Sequence, residues 1–328
     1  MPANLTPQYY AAEEAYKKAS TLEEKVAALE EMLATIPKHK GTEKLQGDLK
    51  KKLSRLRKES TASKSKGGSR QEDPYLVDSQ GAGQVLLLGY PNSGKSALVS
   101  ILTNAKTTVA EYPFSTALPI PGMMEFEDAG VQLVDTPPFV PEGMVGNFVT
   151  AIRNCDMILM TVDLSDDDCP DHLQTMLEFL REKRILRDEI PEGVQAHTMD
   201  SIVVVGTKVD CPGSQERLET MQQLVDDCPQ VLQVSATQGK NLEHLREMLF
   251  RKLDVIRVYT KRPGKEPDFD RPFILKAGST VKDLAQEIHK DIADNLKTAK
   301  VWGSSKFDGQ AVNHDYLLAD KDVVELND

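Results

Sequence analysis

The chain has 328 residues, 40% of them hydrophobic, and a formal net charge of −11, which suits two or three domains with real cores and argues against indiscriminate coating of nucleic acid. The four cysteines (Cys155, Cys169, Cys211, Cys228) show no C-x-x-C spacing, which speaks against a disulfide scaffold or zinc site. No apolar run reaches the roughly 18 residues of a membrane span and the N-terminal stretch has no signal-peptide core, so a cytoplasmic protein is expected.

Residues 7 to about 58 read as helix, most economically as two antiparallel helices joined near 36–41, an α-helical hairpin over 1–60. Thr21 and Glu24 have capping-box spacing ahead of Val26, Leu29 and Leu33. Leu45, Leu49, Leu53 and Leu56 form a second stripe whose other face carries Lys50, Lys51, Lys52, Arg55, Arg57 and Lys58. Between Pro37 and Arg70, twelve basic residues stand against three acidic ones; taking that local +9 from −11 leaves −20 elsewhere. A basic arm of this kind can dock to phosphate, although a plain solvated face or a protein-docking hairpin has the same composition. Residues 61–77, rich in Ser, Gly and Lys at their start, read as a linker.

From 78 to 253 strand signals (85–88, 123–126, 131–134, 157–162, 202–205, 231–234) alternate with helical ones (95–103, 147–154, 171–184, 214–226, 241–253). Alternation of this kind predicts an α/β domain with a mostly parallel sheet and ligands at the carboxyl ends of its strands. The run from Gly89 to Ser96 is G-x-x-x-x-G-K-S between an apolar strand and a helix start, the context of a phosphate-binding P-loop. Gly89, Asn92, Ser93, Gly94 and Ala97 would present backbone amides to phosphate, Lys95 would reach the β- and γ-phosphates, and the Ser96 hydroxyl would ligate Mg²⁺. Asp135, closing the strand 131–134, can hold Mg²⁺ through water, and Thr116 is the candidate that closes over Mg²⁺ and the γ-phosphate.

Thr207, Lys208 and Asp210 follow the strand 202–205. A carboxylate there can accept from both N1–H and the exocyclic amine of guanine, a donor pair that adenine lacks. The Lys208 stem would lie over the base, and Ser235, Ala236 and Thr237, after the strand 231–234, would bring the Ala236 amide to guanine O6. GTP or GDP with Mg²⁺ is therefore the expected ligand. From 254 to 328, strand signals at 255–259, 271–275, 299–302 and 322–326 surround a capped helix at 280–289, a β-grasp-like pattern.

Together these motifs make the chain similar to the Obg and developmentally regulated GTP-binding (DRG) group of GTPases. The likeness is carried by 89–96 (GYPNSGKS), 102–105 (LTNA), 112–116 (YPFST) and 121–124 (PGMM). Residues 256–264, 267–270 (PDFD), 301–303 (VWG), His314 and 318–324 resemble the TGS domain of DRG proteins, and 36–45 resembles their N-terminal helical segment. The resemblance implies a P-loop NTPase G domain preceded by a helical hairpin and followed by a β-grasp TGS domain. It further implies GTP hydrolysis and a ribosome or RNA partner reached through the basic arm and the TGS domain. DRG proteins carry a domain inserted in the G domain; 139–156 is too short to hold one, which suggests a compact prokaryotic relative.

Four positions bear on how far the usual chemistry of these motifs carries over. Pro138 stands where the third motif has a glycine whose N–H binds the γ-phosphate, and proline has no such donor. Phe139 occupies the place of the water-orienting glutamine of Ras-like enzymes, so slow intrinsic turnover is expected. Asn92 matches the position that ligates K⁺ in potassium-dependent GTPases, where the cation supplies the charge of an arginine finger, but asparagine also suits a left-handed loop position. Thr207 replaces the commoner asparagine. A guanine-nucleotide sensor with little turnover is the alternative reading.

Overall fold

The computed structural model describes residues 7–18, 22–36, 42, 45–54, 75–103, 118–141, 144, 146–225 and 227–327. They divide into two compact units, Met1–Asp73 with Arg187–Thr198, and Pro74–Leu186 with Met199–Asp328.

In the first unit, helices α1 (Pro7–Lys18), α2 (Leu22–Thr35) and α3 (45–54) enclose a small apolar core. The first expected helix is two: Tyr9 and Ala12 of α1 pack with Leu29, Met32 and Leu33 of α2. The capping-box spacing at Thr21 and Glu24 already marks the start of the second of these in the sequence, and residues 19–21 lie outside the described residues. Leu49 and Leu53 of α3 are buried with Leu45 against them, so the second stripe faces the core. Lys50, Lys51 and Lys52 are exposed, and Lys50 pairs with Glu192. Leu56, Arg55, Arg57 and Lys58 lie outside the described residues. In the segment 187–198 the Arg187 amide donates to the His197 carbonyl at 2.9 Å, and the Arg187 guanidinium lies 3.9 Å from Glu31.

The second unit opens with a six-stranded sheet in the order β2-β3-β1-β4-β5-β6. Its strands are β1 (Gln84–Leu88), β2 (Ile120–Phe126), β3 (Ala129–Asp135), β4 (Met157–Asp163), β5 (Ile202–Thr207) and β6 (Val231–Gln233). All pairs are parallel except β2 with β3. In β1 alternate residues serve opposite faces. Leu86 and Leu88 join one core with α5 (Gly146–Asn154), α6 (Cys169–Glu182) and α7 (Ser214–Leu224), whereas Val85 and Leu87 join another with α4 (Lys95–Thr103) and α8 (Leu242–Lys252). Strand β2 starts three residues before the apolar signal, at Ile120, and runs through Pro121 and Gly122. An edge position tolerates the proline that would break an inner strand.

A five-stranded sheet follows, ordered β10-β9-β11-β7-β8. It consists of β7 (Val255–Thr260), β8 (Asp268–Lys276, with Pro272), β9 (Thr298–Trp302), β10 (Gln310–Val312) and β11 (Asp322–Asn327). Parallel pairing of β7 with β11, together with a helix packed on one face, gives the β-grasp arrangement. Val281 and Leu284 of α9 (Val281–Ile288) pack on Val258, Val301 and Val324. The three-residue β10 and the six-residue α10 (Lys290–Asn295) were not foreseen, being too short to show a period. Among the described residues no helix is long and apolar enough to cross a membrane, and all four cysteines are free thiols.

Helix α9 begins with a complete capping box: Thr280 accepts from the Asp283 amide at 3.3 Å while the Asp283 carboxylate accepts from the Thr280 amide at 2.7 Å. Replacing Thr280→Ala should lower the opening free energy of α9 amides by about 1 kcal/mol, measured by hydrogen exchange.

Candidate nucleotide site

The loop between β1 and α4 is shaped by two left-handed residues, Asn92 (φ 61°) and Gly94 (φ 88°). Asparagine tolerates this region, so backbone geometry alone accounts for Asn92, which is exposed. Gly89 is required for another reason: a Cβ there would lie 2.2 Å from Thr161 Oγ1 and 2.5 Å from Ser93 Oγ. Those two hydroxyls meet at 2.8 Å in the interior and pin the loop to β4. Thr161 carried no motif; a threonine inside the apolar run of β4 was its only signal.

Lys95 opens α4 and is 6% exposed. Its Nζ donates to the carbonyls of Gly89 at 2.8 Å and Tyr90 at 3.1 Å. An ammonium has three donors, so one remains for a phosphate. Burial brings the Lys95 pKa down to about 8 against the opposing pull of the Asp135 charge. Ala97 sits half-buried in the first turn behind it.

Ser96 Oγ donates to Asp135 Oδ2 at 2.6 Å. Asp135, at the end of β3, is 1% exposed, and its Oδ1 is buried with no hydrogen-bond partner among the described residues. Burial raises its pKa, opposed by the Ser96 hydroxyl and the Lys95 charge. A buried carboxylate oxygen without a donor, beside a hydroxyl, is a donor set that fits Mg²⁺ completed by phosphate oxygens and water. Thr116 lies outside the described residues.

The base-reading candidates gather at the ends of β5 and β6. Thr207 Oγ1 lies 2.9 Å from the Ser93 carbonyl and 3.1 Å from that of Val162, so this threonine ties the P-loop to the next motif. Lys208 is left-handed (φ 55°), with Nζ 2.5 Å from Asp163 Oδ2, an ion pair that the sequence reading missed. Asp210 is an exposed carboxylate that accepts from Thr237 Oγ1 at 3.1 Å, and the Ser235 and Thr237 hydroxyls meet at 3.0 Å. The Ser235 hydroxyl first, and the Thr237 hydroxyl after it, help hold the Asp210 pKa below the usual range. Ala236 is half-buried between them. The Val234 amide donates to the Gly206 carbonyl at 2.8 Å, keeping the two loops adjacent. The P-loop, Asp135, 207–210 and 235–237 thus all stand at the carboxyl ends of parallel strands.

The G-domain family described as "50S ribosome-binding GTPase" matches residues 84–190, and the TGS domain family matches 256–327. A GTP-binding protein of Methanocaldococcus jannaschii is 31% identical over an alignment covering 93% of this chain and 92% of that protein. Developmentally-regulated G-protein 3 of Arabidopsis thaliana is 30% identical, over 94% of this chain and 99% of that protein. The chain belongs to the DRG family. Ribosome-interacting GTPase 1 of Saccharomyces cerevisiae is a further relative, 28% identical over 94% of this chain and 99% of that protein. The alignment with the archaeal relative runs to 367 positions, more than the 328 residues of this DRG protein, so the relative holds segments absent here.

Within this DRG protein Phe139 is fully buried. Its ring packs edge-on to Tyr90 (5.3 Å) and Phe179 (5.1 Å), and its amide donates to the Gly89 carbonyl at 2.9 Å. Replacing Phe139→Ala should destabilise the G domain by about 3–5 kcal/mol, read from denaturant unfolding. The lowered Lys95 pKa gives a second expectation. Above pH 8 the free protein loses the Lys95 proton and must regain it to hold an anion, so Mg²⁺·GDP affinity should fall roughly tenfold between pH 7 and pH 9 in fluorescence titrations.

Proposed function

We propose that this protein is a GTP-hydrolysing switch that binds GTP and GDP with Mg²⁺ and engages the ribosome or structured RNA. The observation that supports it most is the cluster of Lys95, Ser96 and Asp135, whose buried charge and donorless carboxylate oxygen suit a metal–triphosphate. Bound Mg²⁺ neutralises charge developing on the phosphates. Ser96 and Thr116 hold it directly, Asp135 acts through water, and Lys95 contributes its third proton to the β- and γ-phosphates. The amides of Gly89, Asn92, Ser93, Gly94 and Ala97 cradle the phosphates. Asp210 reads guanine, the Lys208 stem covers the base, Thr207 fixes the loop, and Ser235, Ala236 and Thr237 line the O6 side.

Intrinsic turnover is slow in this reading, because a buried Phe139 cannot orient water. A K⁺ held by Asn92 can supply the missing charge. The basic residues Lys50, Lys51, Lys52, Arg55, Arg57 and Lys58 and the TGS domain form the partner surfaces; the name of the yeast relative, a ribosome-interacting GTPase, supports that partner. Phe139 burial also favours a second reading, a guanine-nucleotide sensor that barely turns over and docks a protein through its N-terminal helices.

Single-turnover GTP hydrolysis in K⁺ and in Na⁺, with and without ribosomal subunits, separates the two. The switch reading expects ribosomes or K⁺ to raise the rate, and a rate near zero in all four conditions supports the sensor. Replacing Asp210→Ala removes two charge-assisted bonds to guanine and should weaken GDP binding at least about 100-fold. Replacing Pro138→Gly restores an amide donor to the γ-phosphate and should raise the preference for GTP over GDP roughly tenfold, as read by competition titration.

A further inference from the structure

A second charged cluster lies at the other end of the hairpin that carries Asp135. Arg257 of β7 is 4% exposed. Its Nε and Nη2 grip Asp320 of the same β-grasp domain at 3.0 and 2.6 Å. Its Nη1 donates to Asp128 Oδ1 at 2.8 Å and also to Glu127, both in the β2–β3 turn of the G domain. The guanidinium stacks over Phe250 of α8, 4.9 Å from the ring centroid. The Tyr259 hydroxyl donates to Asp128, and Lys321 Nζ lies 2.9 Å from Glu127. A planar fork that donates to three carboxylates keeps its geometry only over small displacements.

The hairpin joins this contact to the metal candidates. Strands β2 and β3 pair without interruption from Ile120 opposite Asp135 to Phe126 opposite Ala129, about 20 Å of antiparallel ladder. Asp135 stands at one end and the turn Glu127–Asp128 at the other. Strand β3 is fixed to β1 by Gln84 opposite Gln132 through Leu86 opposite Val134, beside the P-loop. A displacement of Asp135 about the γ-phosphate would be carried along this ladder to the turn that the β-grasp domain grips.

We infer that the β2–β3 hairpin couples nucleotide state to docking of the C-terminal β-grasp domain on the G domain, with Arg257 as the coupling contact. The inference rests on the nucleotide reading of the site given above. Coupling of this kind is reciprocal: whatever weakens the Arg257 contact shifts the preference between GTP and GDP, and nucleotide exchange shifts the exposure of β7.

Hydrogen exchange on the full chain, loaded with Mg²⁺·GDP or with Mg²⁺ and a non-hydrolysable GTP analogue, tests it. Amides of 255–260 and 320–321 should differ in protection at least about fivefold between the two states. The difference should vanish in the Glu127→Gln/Asp128→Asn double variant, which alters a turn outside the hydrophobic cores. In the same variant the ratio of GTP-analogue to GDP affinity should move by a comparable factor. Tight binding of both nucleotides with equal protection, or an unchanged ratio in the variant, overturns the coupling alone. Failure of the wild-type chain to bind either nucleotide overturns the site reading and this inference with it.

Discussion

A buried ammonium held between two backbone carbonyls organises the nucleotide end of this protein. Lys95 is almost out of water, and the Gly89 and Tyr90 carbonyls return only part of the hydration it has lost. The remaining deficit explains why its proton is held less tightly. Neighbouring features serve the same end. The missing Cβ of Gly89 lets Ser93 and Thr161 close, Thr207 reaches the Ser93 carbonyl from the far side, and the Phe139 amide shares the Gly89 carbonyl with Lys95. The loop is thus fixed from β4, from β5 and from the residues after β3, whatever the nucleotide adds.

Much of this was legible in the chain, because the relevant constraints are local. A P-loop needs glycines at set intervals, a doubly covered strand such as β1 needs an unbroken apolar run, and a helix such as α9 needs a cap. Each leaves a mark within eight or ten residues. What escaped has no local mark. Pro121 and Gly122 read as lying outside a strand although an edge strand tolerates them. Lys208 with Asp163, and Arg257 with Glu127, Asp128 and Asp320, join residues 45 to 130 positions apart. A single sequence carries no pattern that pairs them.

The two charged clusters of the second unit differ in physical character. Around Lys95 the acceptors are two carbonyls, and beside it one oxygen of Asp135 has no donor among the described residues. Around Arg257 three carboxylates accept from one guanidinium, and a tyrosine hydroxyl donates to one of them. Arg257 donates to Asp320, Glu127 and Asp128, and its charge helps keep all three acids ionised below the usual range; burial pushes the Tyr259 phenol up to about 12, and Asp128 adds to it. One cluster is poised to receive a ligand and the other is closed upon itself.

Both sheets share a trait at their margins. The six-stranded sheet ends in β2, interrupted by Pro121, and in the three-residue β6; the five-stranded sheet ends in β8, interrupted by Pro272, and in the three-residue β10. Each long margin is notched by a residue with no amide hydrogen, and each unnotched one is too brief to template a partner. Leu118, Ile120 and Met123 put exposed apolar side chains along the β2 margin, where a smooth row of free amides would invite another chain to stack. A proline on either margin withholds one amide donor from any strand laid against it.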